Sequence, residues 1–165
     1  MEFRLHANDV VRHFKGNLYT IMAMAIKDFN TGELGVAYVR NCDGTLWLRP
    51  YEMFLGEVDR EKYPDVKQVY RMEKVEKPSF EDTIIAPYNL FCVDYDKATF
   101  FKKNGTDDIY ILMANNYKHT ETDETMALFV GLNDTIISFM PYEDFKKNMT
   151  LHIVTEENIY ELDLL

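Results

Sequence analysis

The chain has 165 residues, is 47% hydrophobic and 14% aromatic, and holds only seven glycines and five prolines, a composition that buries a core and excludes a disordered chain. Its net charge of −10 is unevenly placed, −2 over residues 1–91 and −8 over residues 92–165. So acidic a chain is a poor candidate for sequence-independent nucleic-acid binding, which needs many Lys and Arg contacts to phosphate.

Chemistry that announces itself in sequence is absent. The two cysteines, Cys42 and Cys92, form no CxxC and no framework pattern, which favours a reducing compartment. The four histidines, His6, His13, His119 and His152, have no HxH or HExxH spacing, so we expect no metal and no cofactor. No phosphate-binding glycine loop, dinucleotide fingerprint or nucleophile elbow occurs. No apolar run approaches 18 residues and the N-terminus lacks a cleavable apolar core, so we expect neither a targeting nor a membrane segment, and a cytoplasmic protein.

In chain order, residues 18–27 read as a strand, then the turn DFNTGE, a strand over 34–40, the turn NCDG and a strand over 45–49. Pro50 cannot donate to a ladder and opens a single helical turn, and residues 68–75 read as a closing strand. Residues 77–100 contain Pro78, Pro87 and an apolar patch, residues 88–93, and read as a packed connector. The same order then returns: strands over 109–118, 125–131 and 135–140, a helical turn after Pro141, and a hairpin over 151–162 around Glu156 and Glu157.

The return has a constant offset of 91. Residues 19–54 align without gaps on 110–145, with 12 identical pairs in 36 positions, among them Tyr19/Tyr110, Ala23/Ala114, Lys27/Lys118 and Asp43/Asp134. The longest shared run is Pro-Tyr-Glu-x-Phe, at Pro50, Tyr51, Glu52 and Phe54 and again at Pro141, Tyr142, Glu143 and Phe145. We read these residues as scaffold: Phe54 and Phe145 plug the core, Tyr51 and Tyr142 are half-buried, and Glu52 and Glu143 cap or pair locally. The expected fold is mainly β, with two small SH3-like barrels or β-rolls packed together, spanning 1–76 and 101–165.

Alternate residues of a strand face the same side. Leu46 and Leu48 match Ile137 and Phe139, so that face is core; Trp47 and Arg49 point the other way and match Ser138 and Met140. Only the first copy has Trp47, Arg49, Arg40, Tyr38, His13 and Lys15. If the strands around NCDG pair, Arg40 becomes a cross-strand neighbour of Trp47 or Arg49. An arginine stacks on an indole or grips a carboxylate or phosphate with two donors. These six residues are therefore the candidate recognition surface, set against the plainer reading of Trp47 as core and Arg49 as a paired surface charge.

Two motifs of the first copy carry a resemblance. His13-Phe14-Lys15-Gly16-Asn17 with Tyr19, and Leu46-Trp47 with Arg49-Pro50 and Met53-Phe54, stand in the order H-[FY]-K-G-N-x-Y and L-W-x-R-P-x-x-M-F. Residues 12–75 thereby resemble the bacterial and phage family known as domain of unknown function 1653. The second copy departs from both motifs. The resemblance implies a small domain of a bacterium or of a phage-infected cell, commonly single, and implies no activity.

The expectation is a non-enzymatic binding or adaptor protein that takes a planar or anionic small molecule or peptide on its first copy. Its rival is a phage-type regulator docking the acidic second copy, through Glu121, Asp123 and Glu124, on a basic host protein. An enzyme using Cys42 or His13 comes third.

Overall fold

A computed structural model describes residues 5–79 and 99–153. The first half holds β1 (Val10–His13), β2 (Leu18–Asp28), β3 (Leu34–Arg40), β4 (Leu46–Pro50), α1 (Tyr51–Leu55) and β5 (Met72–Lys74). The second holds β6 (Phe100–Lys103), β7 (Ile109–His119), β8 (Thr125–Gly131), β9 (Ile137–Pro141), α2 (Tyr142–Asn148) and β10 (Met149–His152). The three-strand runs and the helices after Pro50 and Pro141 stand where the sequence places them. The closing strand of the first half is shorter than expected. The apolar patch 88–93, most of the connector and the hairpin around Glu156 and Glu157 lie outside the described residues.

The strands close one barrel, where the sequence suggested two. β2, β3 and β4 form an antiparallel meander, as do β7, β8 and β9. Parallel seams join them: Trp47 and Leu48 of β4 pair with Lys118 and His119 of β7, and Lys27 and Asp28 of β2 pair with Ser138 and Phe139 of β9. Closure removes the free edges that a three-strand sheet would expose. The two β2–β3 and β7–β8 ladders also shift register at the same places, Ile21/Ala23/Ile26 and Leu112/Ala114/Tyr117.

Among the described residues three apolar cores follow from strand parity. Inside the barrel, Met22, Ile26, Val39 and Leu48 meet Tyr117, Met126, Leu128 and Phe139, so neither half fills its interior alone. Gly35 marks how tightly the halves meet: a Cβ there would lie 2.9 Å from the Phe139 ring. Outside the wall, Phe54 of α1 packs on Val36, Tyr38, Ile21, Val11 and Met72. On the other side, Phe145 of α2 packs on Ala127, Phe129, Met140 and Met149. Phe54 and Phe145 are fully buried. Tyr51 and Tyr142 are half-buried, Glu143 pairs with Lys146 at 2.6 Å, and Glu52 is exposed with no cap bond at the start of α1.

Candidate functional site

Strand alternation sends Leu48 into the barrel and Trp47 and Arg49 to its outer wall. Across the β3–β4 ladder Trp47 faces Tyr38 and Arg49 faces Val36. The H-F-K-G-N segment is the tight turn between β1 and β2, closed by His13 and Asn17, whose N–H and C=O bond at 2.9 Å. Gly16 sits there at φ +98°, a conformation that side chains resist. Behind this turn, the Gln68 amide donates to the carbonyls of Arg12 and Arg71, and the Phe14 N–H donates to Arg71 O, which brings Arg71 to the same place.

The result is an open cleft of about 340 Å³, within the size range of small-molecule sites. Five of the six candidates line it: His13, Lys15, Tyr38, Trp47 and Arg49. With them stand Phe14, Asn17, Tyr19, Tyr63, Arg71 and Thr120. Arg40 is elsewhere. It faces Tyr19 across β2–β3, and its guanidinium forks onto Asp43 and reaches Thr45 Oγ1 at 3.5 Å. That bond, with the Thr45 N–H, holds the Asp43 carboxyl down to about 2. A local partner three residues away captured Arg40, so it pins the NCDG turn rather than meeting Trp47 or Arg49.

The lining is aromatic and basic. His13 and Phe14 rings lie 4.3 Å apart, Phe14 and Tyr63 4.9 Å, and Tyr19 meets Tyr38 edge-on at 5.3 Å. Lys15 Nζ stands 5.2 Å from the Tyr63 ring and Arg71 6.0 Å from Phe14, both in cation–π range. Lys15, Arg49 and Arg71 bring three cations, and among the described residues no acidic side chain lines the cleft. Among the described residues no carboxylate pairs with any of the three, although the chain is strongly acidic. Among the described residues, the Nε–H of Arg49 and that of Arg71 are both buried with no acceptor. A buried donor left unpaired is costly, more so when charged.

His13 reports the same field. Burial, then Arg49, Arg71 and Lys15, lower its pKa to about 4, so the ring is neutral near pH 7. Its Nδ1 accepts the Lys15 N–H at 3.2 Å, which leaves the proton on Nε2 as a further donor. Burial raises the Tyr38 pKa, with Arg49 acting against it.

Other candidates are not gathered here. Cys42 is an exposed free thiol in the NCDG turn, away from the cleft. Glu121, Asp123 and Glu124 are exposed on the β7–β8 turn, where Asp123 pairs with Lys118 at 3.5 Å. Among the described residues no group of three His, Cys, Asp or Glu side chains could hold a metal, and no helix is long and apolar enough to cross a membrane. Of the other lining residues, sequence reasoning had Phe14, Asn17 and Tyr19 only as motif positions and missed Arg71, Tyr63 and Thr120 altogether. Arg71 lies in the closing segment VYRMEKV, inside the resemblance; Tyr63 and Thr120 carry no local signal.

No curated protein and no solved structure matches the chain. Residues 9–74 match the model of the family described as Protein of unknown function (DUF1653), a segment that contains every cleft-lining residue except Thr120, so the first half of the chain is similar to that family.

Proposed function

We propose that the protein is a non-enzymatic binding protein whose cleft takes an anionic group on a small molecule or peptide. One observation carries this: among the described residues, the buried Nε–H groups of Arg49 and Arg71 have no acceptor, in a cleft lined by three cations and no acid. An anion supplies the missing acceptors, and guanidinium pairs with carboxylate or phosphate are among the stronger charge-assisted bonds. The neutral His13 Nε2–H adds a donor without adding charge. The acidic-face alternative has no comparable support, since Glu121, Asp123 and Glu124 form a solvated turn.

Trp47 is the only tryptophan and lines the cleft, so its emission reads occupancy directly. Titration with orthophosphate, glycerol phosphate and acetate should change that emission saturably. Arg49→Ala and Arg71→Ala should each weaken binding on the order of tenfold or more, as expected for losing a charged hydrogen-bond partner. The far-ultraviolet dichroism should stay unchanged. Binding that survives both substitutions removes this reading.

A further inference from the structure

Positions 91 residues apart make the same contacts around the two parallel seams. The Thr120 N–H donates to Leu48 O at 2.9 Å, and the Phe29 N–H donates to Phe139 O at 2.9 Å. Thr120 and Phe29 are thus the same position, the first residue beyond β7 and β2. Their side chains differ. Phe29 lies edge-on to Tyr110 at 5.7 Å and to Phe129 at 5.3 Å, and Lys103 Nζ stands 5.0 Å from its ring. The counterparts of Tyr110 and Phe129 are Tyr19 and Tyr38. The counterpart of Lys103 is His13, because Lys102 faces Ile109 across β6–β7 as Arg12 faces Leu18 across β1–β2.

The second half therefore displays the arrangement with its ring in place: Phe29 on two aromatic side chains, flanked by a side chain of the outer strand. In the first half the same two aromatic positions and the same flank line the open cleft, and the residue that would cover them is the short Thr120. We propose that the cleft takes an aromatic ring bearing an anionic group, its ring seated on Tyr19 and Tyr38 beside His13 where Phe29 sits in the other half, its anion on Arg49 and Arg71. Thr120 is the residue that keeps this ring site open. The inference rests on the anion reading of the same cleft and adds the ring, its position and the residue that sets it.

The geometry suits the chemistry. Aromatic rings favour offset or edge-on contacts at the separations that Phe29 shows, and a ring on an aromatic platform adds affinity beyond its buried area. Position 129 holds Phe and position 110 Tyr, so the wall tolerates a wholly apolar ring. On the second-half side Ser138 and Met140 replace Trp47 and Arg49, which matches a site filled by the chain's own ring and needing no anion contact.

Three probes separate the parts: phenyl phosphate, glycerol phosphate and orthophosphate, each titrated into the wild-type chain and into Thr120→Phe and Thr120→Ala. Phenyl phosphate should bind about tenfold tighter than glycerol phosphate, the worth of one good ring contact. Thr120→Phe should fill the ring site, abolish that preference and blue-shift Trp47 emission without ligand; Thr120→Ala should keep the preference. Should Thr120→Phe fail to fold, Thr120→Leu gives the same contrast with a smaller plug. Equal binding of the three probes in the wild type, with Arg49 still required, overturns the ring site and leaves the anion site standing. A preference for phenyl phosphate that persists in the filled variants overturns the role of Thr120. Loss of all binding dependence on Arg49 and Arg71 overturns the anion reading itself.

Discussion

Beside Trp47 and Arg49 the outer wall of the barrel holds an open, basic cleft; beside Ser138 and Met140, at the same strand positions 91 residues on, Phe29 covers the wall. The residues behind these walls hardly differ in kind. Leu48 and Phe139 both point into the shared interior, with Leu46 and Ile137 packed against it, and Phe54 and Phe145 both plug an outer core. The lesson is that the two faces of one strand carry different demands. The inward face must fill a closed space at near-crystalline density and accepts only apolar groups of suitable volume. The outward face beyond the plug is free to be closed in one half and left open and charged in the other.

The largest effect is expected at the shared interior. Leu48→Ala should cost about 2–5 kcal/mol, because Leu48 is fully buried and packs on residues of both halves. If one barrel is the cooperative unit, Trp47 emission and far-ultraviolet dichroism should then report the same single transition in denaturant. Two transitions, with Trp47 following only one, would show that the halves unfold separately.

A smaller effect sharpens the difference between the open and closed faces. Folded His13 takes its proton near pH 4 and the unfolded chain near 6.5, so between these values the unfolded state binds more protons. The sign is therefore a loss of stability as pH falls from about 6.5 to about 4, with no further loss from this group below that. His13→Gln should flatten that limb of a stability–pH curve. A bound anion offsets the charges of Arg49, Arg71 and Lys15, so phosphate should raise the His13 pKa, read from its ring proton shift by NMR. An unmoved titration would mean that the anion sits elsewhere.

The smallest effect is expected at Arg40. Its ion pair with Asp43 is exposed, and such pairs contribute little. Arg40→Ala should leave ligand binding unchanged and the melting temperature nearly so. A marked loss of binding would return Arg40 to the site.

Much of this was legible along the chain. Both three-strand runs, the stops at Pro50 and Pro141, and the opposite facing of Leu48 and Trp47 follow from alternation and turn residues, which act over a few neighbours. The same parity put Tyr38 and Arg40 on one face of their strand, and of these Tyr38 faces Trp47 and lines the cleft. It failed for Arg40, where a carboxylate three residues away competes with a cross-strand partner and wins on proximity. It also gave no access to Arg71 and Tyr63, which the segment after α1 brings to the β1–β2 turn through backbone bonds such as Phe14 N–H to Arg71 O.

The amino-acid sequence by itself determined the strands, the direction of each side chain from them, and the identity of the residues able to plug a core, because backbone period and side-chain polarity are local properties. Only the tertiary structure decided that six strands close a single barrel through the β4–β7 and β2–β9 seams, since those pairings join segments about 70 or more residues apart and depend on both halves being present. It likewise decided that Thr120 stands over one wall and Phe29 over the other. Each residue leaves its own half at a seam and lands on the opposite one, so whether a face is open is set by the partner half.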